Sequence, residues 1–162
     1  MTSSHPEDPT LAGIRLLGLD SVTAAALRTR AASGRTAPID VDEPDAYPCM
    51  HCLRDAHPGE QVWLVSYNPI PVDGSYSGAG PIFLHVDACP AYTDDGAVPP
   101  QLARRLLSIR AFDARHTMRA ADVVAGPATL VLARRLLADP EVAYLHVHNA
   151  RPGCWAARLE RA

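Results

Sequence analysis

The pattern of hydrophobic and polar positions predicts a chain built mostly of short β-strands. Apolar and β-branched residues gather in runs of six or seven, bounded by proline, glycine and aspartate, as is typical of strands. The six clearest runs are 14–19, 61–67, 81–86, 109–114, 142–148 and 154–160. Two shorter strands are indicated near Ile39 and at 122–126. The last two long runs flank the turn "NARPG", which predicts a hairpin.

Helical patterns lie between these runs. The predicted helices are 21–33, 100–108 and 127–139. In the first, Asp20 or Ser21 is expected to be the N-cap and Gly34 to end the helix. The third begins at a proline and ends at an Asp-Pro pair, the positions at which these residues favour helix boundaries.

About six strands with two to three helices interspersed predict an α+β fold with a mainly antiparallel or mixed sheet. We expect one domain, spanning residues 11–162. The preceding segment, "MTSSHPEDPT", is small, polar and rich in proline, which predicts a disordered tail over residues 1–10.

The composition is that of an ordinary soluble domain, with 48% hydrophobic and 20% charged residues among 162. A net charge of −3 without any basic stripe argues against a nucleic-acid partner. Neither a membrane span nor a signal peptide is indicated, so we expect a cytoplasmic protein. All fifteen positive residues are arginine, and alanine is abundant, which points to a GC-rich bacterial genome. In a reducing compartment, neighbouring cysteines are metal ligands or redox groups more often than disulfides.

The segment "YPCMHCLRDAHPGE" carries two cysteines with the spacing of a metal-binding turn. A C-x-x-C turn supplies two thiolates at once, and its backbone amides point at the sulfur atoms. Cys49 and Cys52 would form half of a tetrahedral site. Two alternatives remain open, a redox pair and two ordinary thiols. The redox alternative favours a helix directly after the first cysteine, whereas a turn follows here.

A second half-site follows in "GPIFLHVDAC", where His85 and Cys89 lie at the end of a predicted strand. If the strands 61–67 and 81–86 pair as a hairpin, the start of the first lies beside the end of the second. The C-x-x-C turn precedes the first strand, so the hairpin would bring both halves to one edge of the sheet. Four protein ligands would leave no open coordination position, which predicts a structural zinc. The proposed ligands are Cys49, Cys52, His85 and Cys89.

A second constellation lies in "YLHVHNARPGC". His146 and His148 are two residues apart on a predicted strand and therefore share one face. Cys154 begins the next strand and is placed to approach either histidine across the hairpin. These three residues are the candidate catalytic groups, through an open metal site or an activated thiol. The simpler interpretation is a polar strand face that points to solvent or to a cleft.

Four segments together resemble a known bacterial family. They are "YPCMHCLRDAHPGE", "GPIFLHVDAC", "IRAFDA" and "YLHVHNARPGCWAARL". In this order they resemble the domain of unknown function 1203 family, from about residue 40 onward. The resemblance implies a single-domain bacterial protein and no particular reaction. It places these residues within family motifs: Cys49, His146, His148, Asn149, Gly153 and Cys154.

The family pattern also admits a residue other than cysteine at the position of Cys52. That would make the four-ligand site a feature of one branch and would place a family-wide function elsewhere, at the His-x-His hairpin. From the residues themselves we expect a small binding or accessory domain with a structural zinc. The alternative is an enzyme that uses the His-x-His/Cys centre. No partner is identified by the sequence, which leaves a homo-oligomer open.

Overall fold

Two antiparallel sheets form the framework of the structure, a computed structural model that describes residues 13–162. The strands are β1 (Ile14–Leu17), β2 (Ile39–Asp40), β3 (Gln61–Tyr67), β4 (Gly80–His85), β5 (Leu106–Phe112), β6 (Met118–Ala125), β7 (Tyr144–Asn149) and β8 (Trp155–Arg161). The helices are α1 (Ser21–Ser33), α2 (Pro100–Ala103) and α3 (Thr129–Leu137), with a 3₁₀ turn at Gly126–Ala128. The tail predicted at residues 1–10 lies outside the described residues.

Five strands form one sheet in the order β1-β8-β7-β5-β6, and three form the other in the order β2-β3-β4. The α+β single domain with antiparallel pairing is thus confirmed. The described part of the chain, residues 13–162, has eight strands rather than about six, because both weakly indicated strands form. The predicted 122–126 segment belongs to β6, which begins earlier, at Met118.

Helix α1 begins and ends where its sequence predicts. The carboxylate of Asp20 accepts a hydrogen bond from the backbone N–H of Thr23 at 2.8 Å, so it satisfies one of the free amides of the first turn. Gly34 lies at the other end, where its N–H donates to the carbonyl of Ala31 at 3.2 Å. Within residues 13–162 no helix is both long and apolar enough to cross a bilayer.

The second helix is shorter than predicted. It ends at Ala103, and Leu106 to Ser108 belong to β5 instead. The segment pairs with β6 on one side and β7 on the other, and Leu107 is completely buried between the layers. Pairing on both edges and burial outweigh the helical propensity of "LARRLL", because propensity is weak compared with tertiary packing.

The two faces of the five-stranded sheet differ in chemistry. One face packs into the main core through Leu107, Ile109, Leu145, Val147 and Leu159. The other carries Tyr144, His146 and His148 on β7, beside Arg110 on β5. The segment between β3 and β4 covers part of this polar face. Its Ile70 packs with Phe112 and Tyr144 in a small separate cluster.

Candidate metal centre

The β3–β4 hairpin brings the two cysteine-containing segments together. Val62, next to the start of β3, pairs with His85, the last residue of β4. The hairpin predicted from the sequence is therefore confirmed. The backbone N–H of Met50 donates to the carbonyl of Phe83 at 3.0 Å, which lays the C-x-x-C turn along β4. The turn and the end of β4 thus share one edge of the three-stranded sheet.

The turn around Cys49 and Cys52 is closed by its own backbone. The N–H of Leu53 donates to the carbonyl of Cys49 at 3.1 Å, and the N–H of Cys49 donates to the carbonyl of Arg54 at 3.1 Å. Leu53 adopts a φ of 54°, the left-handed conformation that reverses the chain here. Both cysteine side chains therefore project to the same side of a tight loop.

Four potential ligand atoms meet at this edge: the sulfurs of Cys49, Cys52 and Cys89 and a ring nitrogen of His85. All lie within 4.8 Å of one another. The Cys49 and Cys89 sulfurs are 3.8 Å apart, and the Cys52 sulfur lies 3.6 Å from Nδ1 of His85. Tetrahedral zinc with Zn–S near 2.3 Å and Zn–N near 2.0–2.1 Å requires about 3.8 Å between two sulfurs and about 3.5–3.6 Å between sulfur and nitrogen. Both of these distances fit a tetrahedral ion.

His85 is held on both sides of its ring. Its Nδ1 faces the sulfurs, while Nε2 lies 3.1 Å from a carboxylate oxygen of Glu60. Hydrogen bonds with Cys49 and Cys89 raise the pKa of His85 to about 9. A hydrogen bond from Arg54 lowers the pKa of Glu60 to about 2, so this carboxylate is ionised. A carboxylate on the outer nitrogen is the usual support of a metal-binding histidine.

The Cys89 sulfur receives two further polar contacts. Arg28 of α1 donates from Nη2 to this sulfur at 3.1 Å and from Nε to the carbonyl of His85 at 2.9 Å. Nδ1 of His51 lies 3.3 Å from the same sulfur, and its Nε2 contacts the hydroxyl of Ser21 at 3.1 Å. Burial lowers the pKa of His51, which favours the neutral form of its ring. Three thiolates around a divalent cation carry a net negative charge, which the Arg28 guanidinium offsets.

The thiols differ in acidity because they are hydrogen-bonded to one another. Contacts from the Cys52 and Cys89 thiols lower the pKa of Cys49, and the same contact with Cys49 raises the pKa of Cys52. The backbone N–H of His85 also donates to the Cys49 sulfur, at 3.5 Å. These contacts favour the thiolate at Cys49, which is completely buried, over the thiolate at Cys52.

An ion-pair cluster around the buried Asp55 fixes the turn to the rest of the domain. The Asp55 carboxylate, 5% exposed, accepts from Arg104 at 2.6 Å and from Arg105 at 2.7 Å. The buried Gln101 side chain of α2 donates to the carbonyl of Cys49 at 3.0 Å. These contacts hold the turn against α2 and the start of β5 without involving the four candidate ligands.

His146, His148 and Cys154, the second group of candidate residues, lie apart from the candidate metal centre. His146 is buried and His148 half-buried, and with Cys154 they line a cavity that contains none of the four clustered residues. The Cys154 sulfur accepts from Nδ2 of Asn149 at 3.3 Å; within residues 13–162 it has no hydrogen bond to a histidine. Cys154 thus shares a cavity with both imidazoles, without a hydrogen bond that joins it to either of them. Burial lowers the pKa of His146 to about 3, so the ring is neutral.

The two histidines and Cys154 also do not form a metal cluster. Among residues 13–162, the group of Cys49, Cys52, His85 and Cys89 is the single set of three or more such side chains that could hold an ion. The polar strand face does not point to open solvent, because the segment between β3 and β4 lies over it. It faces a cleft, which was one of the two outcomes that the simpler interpretation allowed.

Sequence reasoning did not identify the residues around the ligands, chiefly Arg28, His51 and Glu60. Glu60 ends the turn "DAHPGE" directly before β3, so the same hairpin argument places it beside His85. His51 lies inside the C-x-x-C motif and is buried. Arg28 comes from α1, and no local pattern in the sequence indicates its contact.

The comparison with known proteins covers both sites. A family model described as "Protein of unknown function (DUF1203)" matches residues 46–161, which include the cluster at 49–89 and the His146–Cys154 hairpin. No curated protein and no solved structure matches the chain. The matched segment is well over half of the sequence, so the resemblance seen in four motifs is confirmed. The chain belongs to the DUF1203 family of proteins of unknown function.

Proposed function

We propose that Cys49, Cys52, His85 and Cys89 bind one structural Zn²⁺ ion. The observation that carries the proposal is the spacing of the four ligand atoms, with 3.8 Å between two sulfurs and 3.6 Å between sulfur and nitrogen. Thiolate and imidazole ligands favour zinc over magnesium or calcium, which prefer oxygen. Four protein ligands complete the coordination sphere, so the ion has a structural role and no open position for a substrate.

The zinc would join parts of the chain that are distant in sequence. It links the turn before β3 to the end of β4 and to Cys89, and so orders the segment 86–98. Arg28 and Ser21 add contacts from α1 to the same centre. We assign the protein to the class of metal-stabilised binding or accessory domains. A cytoplasmic location in a bacterium suits the proposal, because a reducing compartment keeps the three thiols available as ligands.

Metal analysis of the purified protein tests this proposal. We expect about one zinc per chain in the wild type, since closed Cys₃His sites bind zinc tightly. Cys52→Ser should lose most of the bound zinc and lower the melting temperature. Cys154→Ser is the matched control, because its thiol lies outside the cluster, and it should keep the metal. Wild-type protein with well under one zinc, and with no uptake of added zinc, would overturn the proposal.

Thiol labelling separates the zinc centre from a redox pair and from ordinary thiols. Under iodoacetamide, Cys154 should be modified at an ordinary rate, while the other three thiols should react slowly until a chelator is added. A redox pair would instead show at least one fast-reacting thiol without chelator, and ordinary thiols would show no chelator effect. Either result would exclude a zinc-filled site. Mass spectrometry of peptides assigns each modified cysteine.

A further inference from the structure

The cavity lined by His146, His148 and Cys154 lies between the polar face of the five-stranded sheet and the segment that connects β3 to β4. Its volume is about 310 Å³, the size of roughly ten water molecules at about 30 Å³ each. Its larger aromatic and apolar lining side chains are Tyr67, Ile70, Tyr76, Phe112, Met118 and Trp155. A cavity of this size and lining suits one small aromatic molecule.

The aromatic side chains around this cavity are braced against one another. Tyr67 packs edge-on against Trp155 with ring centroids 5.2 Å apart, and Tyr76 packs edge-on against Phe112 at 5.7 Å. Phe112 also stacks on Tyr144 at 5.4 Å. Such pairs restrict the rotamers of each ring, so the walls are preformed for a flat ligand.

Among residues 13–162, Arg110 is the one lysine, arginine, aspartate or glutamate that lines the cavity. Arg110 lies opposite His146 in the pairing of β5 with β7, and both line the cavity with His148. Arg110 contacts the hydroxyl of Ser108 at 3.3 Å, and within residues 13–162 it takes part in no salt bridge. No aspartate or glutamate is among the cavity-lining residues of this part of the chain. A guanidinium without a carboxylate partner favours an anionic ligand.

The indole of Trp155 independently indicates a ligand with a hydrogen-bond acceptor. The side chain is 6% exposed and lines the cavity, yet its indole Nε1–H has no hydrogen-bond partner among residues 13–162. Buried donors are nearly always paired, so an unpaired one calls for an acceptor that the protein does not provide. An oxygen atom of a bound anion would supply that acceptor.

We propose that this cavity binds a small aromatic carboxylate. The carboxylate would pair with Arg110 and accept from the indole N–H of Trp155, while the ring lies among Tyr67, Phe112 and Trp155. The site is separate from the zinc centre, and the proposal does not depend on the metal.

Calorimetric titration with benzoate, and with benzamide as a neutral analogue of the same shape, tests the charge requirement. Wild-type protein should bind benzoate at least tenfold more tightly than benzamide. Arg110→Gln should reduce benzoate affinity to that of benzamide, whereas Arg134→Gln, at an exposed position on α3, should leave it unchanged. Equal affinity for both probes, or no benzoate binding at millimolar concentration, would overturn the proposal.

The two tryptophans provide a readout in the unmodified protein. In a ¹H–¹⁵N spectrum, benzoate should shift the indole N–H signal of Trp155 and leave that of Trp63 in place, because Trp63 does not line the cavity. Trp155→Phe assigns the signals and should weaken benzoate binding by removing the donor. A shift of both indole signals, or of neither, would contradict the assignment even if Arg110→Gln fails to fold.

Discussion

Glu60 determines how well His85 can serve as a metal ligand. Its carboxylate lies 3.1 Å from Nε2 of His85 and keeps Nδ1 turned toward the sulfurs. In Glu60→Ala, the ring loses this acceptor and keeps only Arg54, a cation 3.4 Å from the same nitrogen. We expect zinc affinity to fall by about 10–100-fold, the usual effect of losing such a support. Competition with a chromophoric chelator measures the change.

Two variants control for this result. Glu60→Gln keeps an acceptor oxygen for His85 and should lose less affinity than Glu60→Ala. Glu141→Ala removes the same charge from an exposed turn and should bind zinc as the wild type does. If Glu60→Ala binds zinc as tightly as Glu141→Ala, the carboxylate does not support the histidine and this account of the centre is wrong.

His146 should make the domain less stable as the pH falls. Burial lowers its pKa to about 3, and His148, Arg158, Arg110 and His116 around it disfavour a further positive charge. The unfolded chain takes up this proton below about pH 6.5, whereas the native state resists it until about pH 3. Stability contributed by the neutral ring is therefore complete above pH 6.5. It declines by at most about 1.4 kcal/mol per pH unit below that value.

Urea unfolding at pH 7.5, 6.5 and 5.5 measures this dependence. His146→Phe keeps an aromatic ring at the site but cannot be protonated, so its unfolding free energy should fall less steeply with pH than that of the wild type. Protonation of the zinc ligands affects both proteins alike and cancels in the comparison. Parallel curves for the two proteins would show that His146 does not resist protonation in the native state.

At the scale of the elements, Gly126 fixes the distance between β6 and α2. A Cβ atom at this position would lie 2.2 Å from the carbonyl oxygen of Leu102 and 2.5 Å from that of Ala103. Both are backbone atoms and cannot rotate away. Gly126→Ala should therefore lower the free energy of unfolding by roughly 1–3 kcal/mol or more, measured by urea denaturation. Gly74→Ala meets nothing within 4 Å and should have little effect; similar losses for both would contradict the argument.

The elements also show why the ligand cluster could be predicted while its surroundings could not. The four ligands follow from one hairpin, and a hairpin is set by two neighbouring strands and their register. The contacts of Arg28 and Ser21 depend on how α1 packs against that hairpin, which no local pattern encodes. The same limit explains the error at Leu107 and Ser108, where pairing with β6 on one side and β7 on the other replaced the predicted helix.

Within the molecule as a whole, the candidate metal centre lies on the side of the three-stranded sheet. Its ligands lie in the turn before β3, at the end of β4 and just beyond it, all at one edge of the three-stranded sheet. The five-stranded sheet contributes none of them, although its inner face, with Ile109 and Leu145, shares one hydrophobic core with Leu84 of the three-stranded sheet. The zinc should therefore stabilise one region of the domain more than the other.

Hydrogen exchange before and after zinc removal measures this difference. Chelation should speed exchange in the segments 47–55 and 86–98, because the ion is the link between them, while β7 and β8 keep their protection. Cys52→Ser, which should already lack the metal, controls for effects of the chelator and should show no further change. Equal acceleration in β7 and β8 would mean that the ion supports the entire fold. Unchanged exchange at 47–55 would mean that it does not constrain the turn.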